Sequence, residues 1–150
     1  MTIRHKARIT ALQALYEIDS VGREPADAVA HLLKENVLPE ENEVMVRNLV
    51  EGVGDRKKEI DGYISEFAPT WPIDQISCID RNILRLAIFE VLFDNKVPMK
   101  VAVSEAVYLA RSFGSDTSAK FVNGVLGSVC KATDREGFRG GNLGNGIRED

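Results

Sequence analysis

Three cations stand within five residues near the start of the chain, Arg4, Lys6 and Arg8, and no acid precedes Glu17. The segment that holds them, IRHKARITALQALYEID, is a good helix former. Its leading end therefore combines side-chain cations with free backbone N–H groups. Cations there oppose the helix macrodipole by about 0.3–1 kcal/mol each. The bland reading sends three long side chains into water. The chemical reading makes the helix end an anion site, with guanidinium and amide groups gripping phosphates together. RNA phosphates are the obvious anions, and Gln13 and Tyr16 follow one to two turns along.

A second segment, SFGSDTSAKFVNGVLGSV, sets Lys120 beside Phe121. Unpaired bases stack on such rings at about 1–3 kcal/mol per base. On a helical wheel Phe121 falls at the shoulder of the Val122, Val125, Leu126, Val129 stripe, so a place at the rim of the core competes with ligand contact. Gly124 costs a helix interior about 1 kcal/mol relative to Ala, and a close helix approach would explain it.

Other chemistry is sparse. His5 and His31 have no cysteine or carboxylate cluster at ligand spacing, which argues against a metal. No nucleophile elbow occurs. The GVG of EGVGDRKK lacks a preceding strand and a GK[ST] ending, so it reads as a helix break rather than a phosphate loop. Glu90 in an apolar segment reads as a buried acid paired with Arg81 or Arg85 rather than a catalytic group. No catalytic residue and no cofactor are expected.

The elements that must position these residues are helical. Ala7, Ala11, Ala14, Leu15 and Ile18 form one stripe, and His5, Ile9, Leu12 and Tyr16 a second, so the first helix should pack on two sides with its leading end exposed. Gly22 ends it. Pro25 opens a second helix, Pro39 with PEENE a third that breaks at Gly52 and Gly54, and a fourth runs through Ile60, Ile64 and Phe67. Pro69 and Pro72 flank Trp71 in an extended linker. Ser77 caps an apolar helix over Ile79 to Phe93. Pro98 opens the next helix and Gly114 stops it, and Ser115 or Asp116 caps the last. No alternating strand pattern survives. The reading is all-α with about seven helices, one domain over 1–133 divided near 68–73, and a Gly-rich disordered tail over 134–150.

The bulk numbers agree. A hydrophobic share of 44% with 28% charged residues suits a soluble globular chain. The longest apolar stretch, ILRLAIFEVLF, is broken by Arg85 and Glu90 and is too short to span a membrane. Two distant cysteines, Cys78 and Cys130, fit a reducing cytoplasm. The net charge is −4, with the acids concentrated between Glu17 and Thr70, so any nucleic-acid contact must be local.

Three stretches resemble the NusB family of bacterial antitermination factors: ARITALQALYEID, DRNILRLAIFEVL, and VPMKVAVSEAVYLARSFGSDTSAKFVNGVL. The likeness spans about residues 3–133. It implies two three-helix bundles packed across each other and no enzymatic activity. It implies binding of boxA RNA together with the ribosomal small-subunit protein that acts as NusE. It also implies membership of an antitermination complex with RNA polymerase and other Nus factors, chiefly on ribosomal RNA operons. A homodimer occurs in some members. Carried over residue by residue, the family's basic N-terminus falls on Arg4, His5, Lys6 and Arg8, and its helix-one polar residues on Gln13 and Tyr16. Its RNA-contacting loop and last-helix start fall on Asp116, Thr117, Lys120 and Phe121. His5 stands where an Arg is frequent and Thr117 where some members have Asp. The rival readings are a helical protein-interaction module and an accessory RNA-binding domain without an antitermination role. The shared idea is that cations at the head of the first helix and the start of the last one capture a transcript. On it, Arg8→Glu should weaken RNA binding without unfolding the chain.

Overall fold

The computed structural model describes residues 2–135. The tail expected from residue 134 lies, past Arg135, outside the described residues. Seven α-helices run in order: α1 Ile3–Val21, α2 Pro25–Glu35, α3 Glu40–Asp55, α4 Lys57–Phe67, α5 Cys78–Phe89, α6 Met99–Phe113 and α7 Ser118–Arg135. A 3-10 turn at Ile73–Gln75 precedes α5, and a π turn at Glu90–Asp94 follows it. There is no strand among the described residues.

The chain divides into two compact units at Arg56/Lys57. The first holds α1 to α3. Thr2 caps α1, its Oγ1 accepting from the His5 N–H at 3.1 Å. Gly22 closes the other end in the left-handed region at φ 78°. Its N–H donates to the Ile18 carbonyl while the Arg23 N–H reaches the Glu17 carbonyl, the doubled closure that glycine permits without a Cβ clash. Ala7, Ala11 and Ala14 are fully buried, and these small side chains let α1 pack against both α2 and α3. Leu12 and Leu15 add larger buried side chains, each worth about 1.5–3 kcal/mol. Helix α3 runs through Gly52 and Gly54 to Asp55 rather than breaking at them. Burial of Leu49, Val50 and Val53 outweighs the roughly 1 kcal/mol each glycine costs.

The second unit begins at Lys57 and contains the Pro69–Pro72 segment. Its centre is α5, buried at every position from Asn82 to Phe89, with α4, α6 and α7 packed on it. Ser77 caps α5, its Oγ accepting from the Asp80 N–H at 3.2 Å. Arg85 makes a two-pronged pair with Asp61 of α4, Nε to Oδ1 at 2.8 Å and Nη2 to Oδ2 at 3.1 Å, and its Nη1 donates to Asn82 Oδ1. That pair ties α4 to the central helix. The π turn closes on Asn95, which takes the left-handed conformation at φ 55°. Gly124 is exposed, and a Cβ built there meets nothing within 4 Å. The close helix approach expected there is absent. Cys78 and Cys130 are half-buried and not joined in a disulfide.

Candidate nucleic-acid interface

The two sequence-selected segments lie in different units. At the head of α1 the four basic positions divide. Arg4 and Lys6 are exposed, whereas His5 is 8% and Arg8 only 3% exposed. The free cationic surface there is thus Arg4 and Lys6. The wheel carried the signal: Arg8 sits one turn before Leu12 and two before Leu15, on the stripe that goes inward. Further along, Gln13 is half-buried, and Tyr16 exposes its ring while its carbonyl accepts from Ser20 Oγ.

In the second unit the structure gathers a groove of about 620 Å³. Thr117, Lys120 and Phe121 line it, as do Trp71, Phe113 and Asp80, which sequence reasoning did not select as site residues. Asp116 is exposed and does not line the groove. One wall comes from the α6–α7 connection. Gly114 ends α6, and Ser118, almost fully buried, accepts at Oγ from the Ser115 N–H at 2.8 Å. The Ser115 and Ser118 hydroxyls lie 3.2 Å apart. Helix α7 starts at Ser118, and the turn before it is closed by the Ser118 N–H donating to the Ser115 carbonyl at 3.1 Å while the Ser118 hydroxyl answers the Ser115 N–H, the reciprocal bonding of a capped helix start. A Cβ on Gly114 would collide with the Ser118 side chain and lie 2.8 Å from the Ala110 carbonyl, so this position accepts only glycine without movement. The loop is thereby set, and the first turn of α7 delivers Lys120 and Phe121 into the groove.

The opposite wall comes from the segment before α5. Trp71 is 51% exposed and Phe113 40%. Arg81 donates from Nη1 to the carbonyls of Ile73, at 3.2 Å, and Ile76, at 2.9 Å, fastening the 3-10 turn to α5. Three aromatic rings and one ammonium in one groove suit a ligand with flat faces and negative charge. Among the described residues no group of three His, Cys, Asp or Glu side chains could hold a metal ion. No helix among them is long and apolar enough to cross a membrane.

A family model described as "NusB family" matches residues 5–131. A transcription antitermination protein NusB from Dehalococcoides mccartyi (strain CBDB1) is 52% identical over 131 residues, spanning 87% of this chain and 92% of the relative. Its counterpart from Roseiflexus castenholzii (strain DSM 13941 / HLO8) is 45% identical over 130 residues, spanning 85% and 92%. Among solved structures, one described as antitermination factors NusB and NusE in complex with dsRNA matches with a TM-score of 0.81 at 29% identity, over 88% of this chain and 98% of that one. The fold, the matched length and the identity to these relatives agree: the chain belongs to the NusB family.

Proposed function

We propose that this chain is an RNA-binding antitermination factor. It binds boxA RNA together with the ribosomal small-subunit protein that acts as NusE, and so promotes transcription of ribosomal RNA. One observation carries the reading: a chain half-identical to NusB proteins holds a groove where Lys120 lies beside exposed aromatic rings. The similarity to a NusB captured with NusE and dsRNA supports the same partners. In this reading Arg4, Lys6 and Lys120 neutralise phosphates, and Phe121 offers its ring to an unpaired base. The buried Arg8 and His5 support the head of α1 rather than touching RNA. Gln13, Tyr16, Asp116 and Thr117 extend the candidate contact surface. The protein supplies binding and no chemical step, and it works where transcripts are made, in the cytoplasm.

The test is a titration of labelled boxA-like RNA and of a scrambled RNA, each with and without the ribosomal partner. Tighter binding of the boxA-like RNA in the partner's presence is expected. Equal affinity for the two RNAs would reduce the interaction to charge attraction.

A further inference from the structure

Asp80 lines the groove yet is only 9% exposed, and its Oδ1 is shut off from water with no hydrogen-bond partner. A buried acceptor left in that state is costly, and a charged one more so. It invites a donor brought by whatever enters. Trp71 stands at the same groove on a fixed support. Pro69 and Pro72 restrict the backbone around it, its backbone N–H donates to the Ala68 carbonyl at 3.2 Å, and Arg81 pins the following turn. A half-exposed indole on a rigid segment offers a ready stacking face at little entropic cost.

We infer that the groove is a nucleobase subsite in which Trp71 supplies the stacking face and Asp80 accepts a hydrogen bond from the base's exocyclic amino group. This rests on the RNA-binding reading above and adds base selectivity to it. Cytosine, adenine and guanine carry an amino donor, and uracil does not. A base also brings a phosphate for Lys120. An arginine from a protein partner would satisfy Asp80 but would meet the Lys120 ammonium in the same groove. Oδ1 is screened in the groove as it stands, so a base reaches it by displacing a side chain of the wall, for which the exposed, flexible Lys120 is suited, while the Trp71 backbone stays in place.

Trp71 is the only tryptophan, so its emission reports this groove alone. The full-length chain is titrated with single-stranded oligo(C) and oligo(U) octamers, and binding is followed independently by the anisotropy of an end label on the RNA. Oligo(C) should quench Trp71 and bind more tightly than oligo(U). Trp71→Ala should weaken oligo(C) binding by about 5- to 150-fold, the worth of one stacked base, with unchanged thermal unfolding, and Trp71→Phe should restore most of the loss. Asp80→Asn, equal in shape, should abolish the preference for oligo(C) over oligo(U) while retaining quenching. Three results overturn the inference. RNA binding by anisotropy with silent Trp71 emission and unaltered Trp71→Ala affinity removes the subsite and leaves the antitermination reading standing. Emission that responds to the ribosomal partner but not to RNA makes the groove a protein-docking surface. No binding of the oligomers or of boxA-like RNA by anisotropy, with or without the partner, removes both readings.

Discussion

The head of α1 and the groove of the second unit are opposites as binding surfaces. The first is dense in charge along the sequence, yet the fold withdraws Arg8 and His5 from it. The second is assembled from residues far apart in the chain, Trp71 and Asp80 on one side, Phe113 and the 114–121 turn on the other, with a single cation among them. Linear charge density locates positive groups but does not decide which of them face water. Here the helical period decides it: Arg8 stands on the apolar stripe and is buried with it, whereas Arg4 and Lys6 stand off it and face water.

The most damaging way to probe this contrast is Arg8→Glu. Replacing a guanidinium that is 3% exposed with an acid should cost about 3–5 kcal/mol of stability, comparable to breaking a buried ion pair. A large drop in thermal midpoint is expected, with loss of RNA binding following from unfolding. A midpoint within a degree of the native one would show that Arg8 is free, and the two regions would look alike again. Next comes Gly114→Ala. The new methyl group must displace Ser118, at about 1–3 kcal/mol, and shift the turn that sets Lys120 and Phe121. RNA affinity should fall although neither Lys120 nor Phe121 has changed, while Arg4→Ala and Lys6→Ala should leave this turn's amide exchange untouched. The smallest effects are the sharpest. Changing Arg4 and Lys6 together to Ala should lower the log–log salt slope of RNA binding by about 1.4, and Lys120→Ala by about 0.7. Neither should alter stability, because all three side chains are exposed. A slope unmoved by the α1 pair would leave phosphate contact to the groove alone.

Much of the fold was legible because local backbone chemistry marks its own boundaries. Gly22 in a left-handed closure, Pro25 at a helix start, the Ser77 cap and the stop at Gly114 all stand where the sequence predicts. The break marked by Gly52 and Gly54 falls just past them, at Arg56, because burial of Val53 carries α3 on to Asp55, and glycine misled only at Gly124, where no close neighbour exists. The pairing of Arg85 with Asp61 was illegible because the partner lies on another helix, far back in the chain. The groove was half legible. Lys120 and Phe121 share a helix with an obvious apolar stripe, so they could be singled out. Trp71 and Asp80 reach the same place only through the packing of α5 against its neighbours and carry no local signal.

The wide turn at Glu90–Asp94 changes how the chain leaves the central helix. A turn that closes on the fifth residue accommodates one residue more than an α-turn, and one residue is about 100° of rotation. Everything beyond Asn95 therefore departs on a different heading from the one a regular helix would give. Removing a single residue from this stretch would restore ordinary winding and swing α6, with Phe113 at its far end, off its present bearing. The reach of one aromatic ring into the groove is in that sense counted out some twenty residues upstream.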